Sequence, residues 1–388
     1  MMKIKYGRQE VTKDDIAAVV DVLNSDLLTQ GPVVPSFEKV ACEYTGAKHA
    51  VAVNSATSAL HIACMALDLG PGDWLWTCPN TFVATSNCAL YCGAKIDFVD
   101  IDPQSYNISV EKLKKKLEIA KQNKNLPKIL VPVHLSGQSC EMKEIKSLSK
   151  KYGFKIIEDA SHAIGGTYKN MPVGSCFYSD ITVFSFHPVK IITTGEGGMA
   201  LTNDSILANK LRQHRSHGIT SNPKEMIKRP DNEIWNYQQI RLGYNYRMTD
   251  IAASLGLSQI KRLKEIIKQR HKIADRYDQE LNSLPLRTPW QHPDTFSSYH
   301  LYIIRLDLDK ITKTQPQIHD ELCDLGIMVN LHYIPVYRQP FYEKMGFEAG
   351  YCLESECYHR EALSIPIYPT LTQKEQDHVI NTLKKIIV

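Results

Sequence analysis

The sequence predicts an α/β protein: a large three-layer αβα domain with a mostly parallel sheet over residues 1–255, including an N-terminal arm, then a smaller α+β domain over residues 256–388. Three observations predict it. From Val51 to about Leu201, short apolar runs alternate with helical stretches, the pattern of a sheet whose crossovers are helices. After Asp250 the pattern changes: Ile251 to Ile260 leads into Leu263, Ile266, Ile267 and Ile273 at helical spacing, a long helix that leaves the large domain. The length, 388 residues at 43% hydrophobic content, suffices for two cores.

In chain order, Ala50-Val-Ala-Val is a short strand that passes through small polar residues, Asn54 to Ser58, into the apolar helix of Ala59 to Leu67. Such a helix start offers free backbone N–H groups and hydroxyls, and binds phosphate. Lys95-Ile-Asp-Phe-Val-Asp100 and Lys128-Ile-Leu-Val-Pro-Val133 are further strands, and the lysines at 114–116, 121 and 124 mark the solvated face of a helix between them. Phe154-Lys-Ile-Ile-Glu-Asp159 is a strand that ends in an acid. The run from Asp180 to Lys190 closes on a lysine and opens into the glycine-rich turn Thr193-Thr-Gly-Glu-Gly-Gly198. In the smaller domain Leu301 to Leu306 is a strand, and helices lie near Gln317 and Gln373. No internal repeat is visible.

Taken singly, these residues have ordinary readings. Lysine at a strand end is mostly solvated, Asp159 suits the cap of a helix starting at Ala160, and Ser and Thr are common N-caps. Their combination is more specific. In α/β sheets the carboxyl ends of parallel strands converge on one crevice. An amine, a carboxylate and a phosphate cradle meeting there are the three handles that pyridoxal phosphate requires: a Schiff-base lysine, a partner for the ring nitrogen and a phosphate site.

Five motifs in order, Asn54-Ser-Ala-Thr-Ser58, Pro79-Asn-Thr-Phe82, Glu158-Asp-Ala-Ser-His162, Ser185-Phe-His-Pro-Val-Lys190 and Gly243-Tyr-Asn-Tyr-Arg247, resemble those of the nucleotide-sugar aminotransferases of the DegT/StrS type, which have the type I aspartate-aminotransferase fold. The resemblance extends from Tyr6-Gly-Arg-Gln to Ala362-Leu-Ser-Ile-Pro366. It implies pyridoxal phosphate as cofactor, Lys190 as Schiff-base and catalytic lysine, Asp159 on the ring nitrogen, Phe82 stacked on the ring and His162 on the cofactor's hydroxyl side. Thr57, Ser58 and Ser185 fit the phosphate. Asn245 resembles a residue that reaches the phosphate from a neighbouring subunit, which implies a homodimer with shared sites. Ile191 departs from the family, where many relatives carry Asn.

Within the family, the opening and Leu28-Thr-Gln-Gly31 are most similar to the 4-aminotransferases of pseudaminic acid biosynthesis. That similarity implies amino transfer, from glutamate, to C4 of a UDP-4-keto-6-deoxy-N-acetylamino sugar. The matching pocket segments are Tyr6, the stretch Asp26, Leu27, Leu28, Thr29, and the stretch Asn330, Leu331, His332, Tyr333. Arg338 and Arg8 are candidate diphosphate partners, since a guanidinium forks onto phosphate oxygens. Alternatives stay open: a dTDP- or GDP-linked keto sugar, transfer at C3, or a non-catalytic sensor built on the same fold. A sugar dehydratase of this type is disfavoured because those relatives carry histidine at the lysine position. A nicotinamide dehydrogenase is disfavoured because Gly195 to Gly198 lacks the strand-to-helix context of a dinucleotide loop.

Composition narrows the remainder. Net charge, 46 − 42 = +4, is too small for a nucleic-acid binder without an arginine-rich stripe. The ten cysteines lack zinc-site spacing, so no metal is expected. No signal peptide is read at the start, and no apolar stretch approaches the roughly 18 residues of a membrane span. A cytoplasmic protein is expected.

Overall fold

The structure, a computed structural model, describes residues 3–230, 232–233 and 236–387. Its centre is a seven-stranded sheet of β1 (His49–Val53), β2 (Trp74–Thr77), β3 (Lys95–Phe98), β4 (Ile129–Val131), β5 (Lys155–Asp159), β6 (Ile181–Ser185) and β7 (Gly198–Thr202). They lie in the order β1-β7-β6-β5-β4-β2-β3. Only β7 runs antiparallel, against both β1 and β6; the other neighbours pair in parallel. Two of these strands do not stand out in the sequence. β2 is a four-residue Trp-Leu-Trp-Thr segment behind Gly70-Pro-Gly-Asp73, and β7 starts on a glycine inside the glycine-rich turn. Conversely, the apolar run to Lys190 is strand only as far as Ser185.

The helices α1 (Lys13–Leu23), α2 (Val33–Thr45), α3 (Ala56–Ala66), α4 (Ala84–Tyr91), α5 (Val110–Gln122), α6 (Met142–Tyr152), α7 (Ser205–Arg215), α8 (Asp250–Ile260) and α9 (Leu263–Leu281) make the outer layers and the exit. Successive residues of a strand face opposite sides, and the burial follows that alternation. Val51, Leu75, Ile129, Ile157 and Val183 share a core with α3, α4 and α7 through Leu60, Cys88 and Leu211. On the other side Ala50, Ala52, Phe184 and Met199 pack with Phe37 of α2 and Ala253 of α8, while Leu130 and Ile156 pack with Leu113 of α5 and Ile145 of α6. With both sheet faces covered, the strands are apolar throughout. α3 is buried almost all round, as its composition demands.

α9 belongs to two cores. Leu263, Ile266 and Ile267 complete the α2/α8 side of the sheet, whereas Ile273, Ala274, Tyr277 and Leu281 pack with Tyr302, Ile304, Leu363 and Val379. This second core is built on a three-stranded antiparallel sheet of Leu286–Arg287, Tyr302–Leu306 and Ala362–Ile365, with helices Gln315–Asp324 and Gln373–Ile386. The N-terminal strand Ile4–Lys5 pairs with Ile327–Met328 and puts Ile4 into it. At the change-over, Arg270 is 1% exposed and donates to the carbonyls of Tyr299 (3.0 Å), His300 (3.2 Å) and Ile367 (3.1 Å). Buried charge is tolerated only when hydrogen-bonded, and these carbonyls fix the chain from residue 299 to 300 against α9.

One close approach sets the geometry of the sheet edge. A Cβ at Gly198 would lie 2.5 Å from the backbone of Ser55 and Ala56, so glycine is what lets β7 reach the start of α3. Gly198→Ala is expected to lower stability by about 1–3 kcal/mol through overpacking against backbone that cannot swing aside, measured by urea denaturation; an unchanged midpoint would contradict this packing.

Candidate active site

Every strand of the sheet that runs parallel delivers its carboxyl end to one side, and the loops that follow line a cavity of about 590 Å³. Ser55, Ala56 and Thr57 follow β1; Thr81 and Phe82 follow β2; Val133 follows β4; Asp159 ends β5 and leads to Ser161 and His162; Ser185 ends β6 and leads to His187 and Lys190. Glu196 stands just before β7 on the same side. The opposite wall comes from Tyr6, His300 and residues 330–333.

At one pole sits the start of α3. Ser55 is its N-cap and accepts from the Ser58 N–H at 3.1 Å. The following first-turn amides have no carbonyl within the helix to bond, which makes this an anion site. Thr57 and Ser185 present hydroxyls to the cavity. Ser58 is turned away: its hydroxyl donates to Asn54 Oδ1 at 2.7 Å and sits 2.9 Å from Ser55 Oγ, so it secures the loop rather than lining the cavity.

Asp159 is 4% exposed. Its Oδ2 accepts from Thr85 Oγ1 at 2.6 Å, and its Oδ1 accepts from the hydroxyl (2.6 Å) and amide (3.1 Å) of Ser161. The chain after it is a turn and no helix starts at Ala160, so Asp159 caps nothing. Lys190 closes a turn in which its N–H donates to the His187 carbonyl at 2.9 Å. Burial pushes its ammonium down to about 8, against an upward pull from Asp159.

Three histidines stand nearby, all held neutral. His162 lies well below the ordinary imidazole range because of burial, reinforced by Lys190 and His332. Its Nδ1 accepts from the Ser136 N–H at 3.3 Å, which leaves the proton on Nε2, 3.2 Å from Tyr333 Oη. His332 is pushed down to about 3 by burial and by Lys190; its Nδ1 meets Ser364 Oγ at 2.8 Å. His300 packs 4.4 Å from the His162 ring and is likewise well below its ordinary range, through burial first and the neighbouring cations second. Phe82 is 59% exposed although it lines the cavity, with Tyr333 6.4 Å away: an apolar face left open for a planar partner.

The structure thus brings together Lys190, Asp159, His162, Thr57, Ser185, Phe82, Tyr6 and residues 330–333. Other candidates lie elsewhere in the single chain. Asn245 is exposed and bridges Ser216. Asp26, Leu27, Leu28 and Thr29 are exposed, with Thr29 paired to Thr249. Arg338 pairs with Glu343 (3.2 Å) and Glu356 (3.5 Å), outside the cavity wall. Arg8 lines a separate small cavity beside Lys190 and Arg270. Sequence reading did not single out Ser55, Thr81, Thr85, Ser161, His187, Glu196 or His300. Ser161, two residues after an acid at a strand end, was the most findable, since that spacing is an Asx turn.

The residues fit pyridoxal phosphate on these observations: a helix start that only glycine at 198 allows β7 to approach, a buried carboxylate, an open aromatic face and a lysine whose amine is easily neutral. A sheet of this topology carrying them at its carboxyl edge defines the class of pyridoxal-phosphate enzymes with a Schiff-base lysine. The chain belongs to the DegT/DnrJ/EryC1/StrS aminotransferase family, PLP-dependent sugar aminotransferases, whose model matches residues 9–384. It is 38% identical over 385 residues to the UDP-4-amino-4,6-dideoxy-N-acetyl-beta-L-altrosamine transaminase of Campylobacter jejuni, covering 99% of this chain and 97% of that one. PseC of Helicobacter pylori, an aminotransferase involved in the biosynthesis of pseudoaminic acid, superposes with a TM-score of 0.89 at 32% identity, over 99% of both chains. The putative sugar aminotransferase Spr1654 of Streptococcus pneumoniae, in its PLP form, gives a TM-score of 0.87 at 28% identity, over 99% of this chain and 98% of that one.

In cofactor-free protein the Lys190 amine should titrate near 8 rather than at the ordinary 10.5. Because the folded value is lowered, the neutral, reactive form appears as pH rises through 8. Labelling with an amine reagent across pH, read by peptide mass spectrometry, checks this; a midpoint at the ordinary value would mean the site is wetter than its packing implies.

Proposed function

We propose that this protein transfers an amino group from glutamate, through pyridoxal phosphate, to C4 of a UDP-linked 4-keto-6-deoxy-N-acetylamino sugar, of the kind that leads to pseudaminic acid. The observation that carries the reading is the end-to-end likeness to the C. jejuni transaminase, together with a cavity that sets an amine and a carboxylate opposite a wall of rings and an amide. Tyr6 and residues 330–333 offer faces and hydrogen-bonding groups suited to a sugar and a uracil.

Each role follows from what the side chain can do. Ser55, Thr57, Ser185 and the first amides of α3 hold the phosphate, and Asp159 accepts the ring N–H. Phe82 covers one face of the ring. The cofactor, when bound, supplies an electron sink that lets a carbon-bound proton depart. Lys190, once free, takes that proton on its neutral amine and returns it to the sugar carbon, a task for which a value near 8 is well matched to neutral pH. His162, neutral and held by Ser136 and Tyr333, faces the cofactor's hydroxyl side without adding charge. Asp26, Leu27, Leu28, Thr29 and Asn245 serve the site of a second copy in a homodimer, which accounts for their exposure in the single chain. In the same reading residues 1–255 form the cofactor-holding unit, residues 256–388 close it, Arg338 meets the diphosphate at the rim, and the enzyme works in the cytoplasm. No helix among the described residues is long and apolar enough to cross a membrane.

Incubating the purified protein, pyridoxal phosphate and glutamate with a panel of UDP-, dTDP- and GDP-linked 4-keto and 3-keto sugars, and locating the new amine by NMR, tests the substrate. The UDP-4-keto N-acetyl sugar should be aminated fastest, at C4; preference for another nucleotide or position would replace this substrate assignment.

Mixed dimers test the shared site. Lys190→Ala lacks the amine, and Asn245→Asp sets a negative charge beside phosphate, which repels it. A heterodimer of the two should hold one site with both lesions and one with neither, and so recover about half of wild-type activity per dimer. Mixed dimers no more active than their parents would place Asn245 within its own subunit's work.

A further inference from the structure

Asp159 is held by a relay that the reaction as described leaves unused. Thr81 and Thr85, both buried, sit on successive turns of one segment with their hydroxyls 2.7 Å apart, and Thr85 Oγ1 lies 2.6 Å from Asp159 Oδ2. A threonine hydroxyl has one proton to give. If Thr85 spends it on the carboxylate, which accepts only, then the contact with Thr81 must run the other way, Thr81 donating to Thr85. The order is therefore Thr81 to Thr85 to Asp159. Charge-assisted hydrogen bonds of this length are the strong ones, and a chain of them reinforces each member.

Counting donors shows what the relay accomplishes. An ionised carboxylate offers about four acceptor positions. Thr85 Oγ1 takes one, and the hydroxyl and amide of Ser161 take two more. One position remains in a cavity lined by Asp159, Thr81, Thr85 and Ser161, enough for one further N–H donor and no more. Thr85 and Ser161 grip different oxygens, so the carboxylate cannot rotate to offer another pair without breaking a 2.6 Å contact.

We propose that Thr85, oriented by Thr81, is a positioning residue: its hydroxyl fixes the rotation of the Asp159 carboxylate so that its one open acceptor position meets the ring nitrogen of pyridoxal phosphate. This rests on the reading of Asp159 as the ring-nitrogen partner. Thr85 acts through Asp159 and does not itself touch the cofactor.

The test measures cofactor affinity by equilibrium dialysis and the visible absorption band of the bound cofactor, in Thr85→Val, Thr85→Ser, Thr81→Val and Asp159→Asn, with the melting temperature of each cofactor-free protein. Thr85→Val keeps the side-chain shape and removes the hydroxyl; it should weaken pyridoxal phosphate binding roughly tenfold or more, the worth of one hydrogen bond to a charged group, and shift the band in the direction seen with Asp159→Asn. Thr85→Ser should bind like wild type, and Thr81→Val should show a smaller loss in the same direction, which keeps the relay testable if Thr85→Val folds poorly. Wild-type affinity in Thr85→Val beside a clear loss in Asp159→Asn overturns the proposal alone. Wild-type affinity in both overturns the reading of Asp159 and the proposal with it. A loss in Thr85→Ser equal to that in Thr85→Val also overturns it, because side-chain shape and not the hydroxyl would then be what matters.

Discussion

The site depends on the cost of keeping charge in a place with little water. Lys190 has to be available as a neutral amine while Asp159, whose field reaches it, has to stay a carboxylate, and the two demands oppose each other: the acid pulls the amine toward its charged form as burial pushes it away. Burial prevails. The same desolvation keeps His162, His300 and His332 uncharged, so the amine is surrounded by rings that shape the cavity without competing for its proton. The carboxylate is compensated differently, by three short-range donors from Thr85 and Ser161. Desolvation tunes the base, and hydrogen bonding keeps the acid in place.

The fold makes this arrangement possible because one sheet edge carries everything. Parallel strands send their carboxyl ends the same way, and β7, running back between β1 and β6, brings Glu196 and Gly198 to that edge as well. The approach of Gly198 to Ser55 and Ala56 places the anion-binding start of α3 directly beside the strands that end in Asp159 and lead to Lys190. Arg270 performs a comparable task from below: with no acid within its hydrogen-bonding set, it spends its donors on the carbonyls of residues 299, 300 and 367 and so ties the wall carrying His300 to α9.

Lys190 and Asp159 were legible in the sequence because each ends an apolar run, and a charge at the end of a buried strand is unusual enough to be noticed. The antiparallel β7 was not, since its glycine start and small residues are indistinguishable from the turn before it until its two neighbours are known. Ser58 illustrates the opposite error. Its residue type suits a phosphate site, but its neighbour Ser55 takes the cap and Asn54 takes its proton, and only the local geometry decides which hydroxyl faces the cavity. Thr85 and His300 matter through partners 74 and 138 residues distant in sequence (159 − 85 and 300 − 162), and no local pattern carries that information.

The wall opposite the lysine is built separately. Residues 330–333 are anchored to the second core: Asn330 pairs through its backbone with Ser364, His332 bonds the Ser364 hydroxyl, and Tyr358 donates to the His332 carbonyl at 2.6 Å. None of these anchors touches the strands that carry Asp159 and Ser185 or the start of α3. Mutations that remodel this segment therefore leave the chemical end of the cavity intact, and a lineage built on this scaffold can drift in what it accepts while its reaction stays constant. Gene duplication followed by change in a single loop is enough to give such a family new customers for an old chemistry.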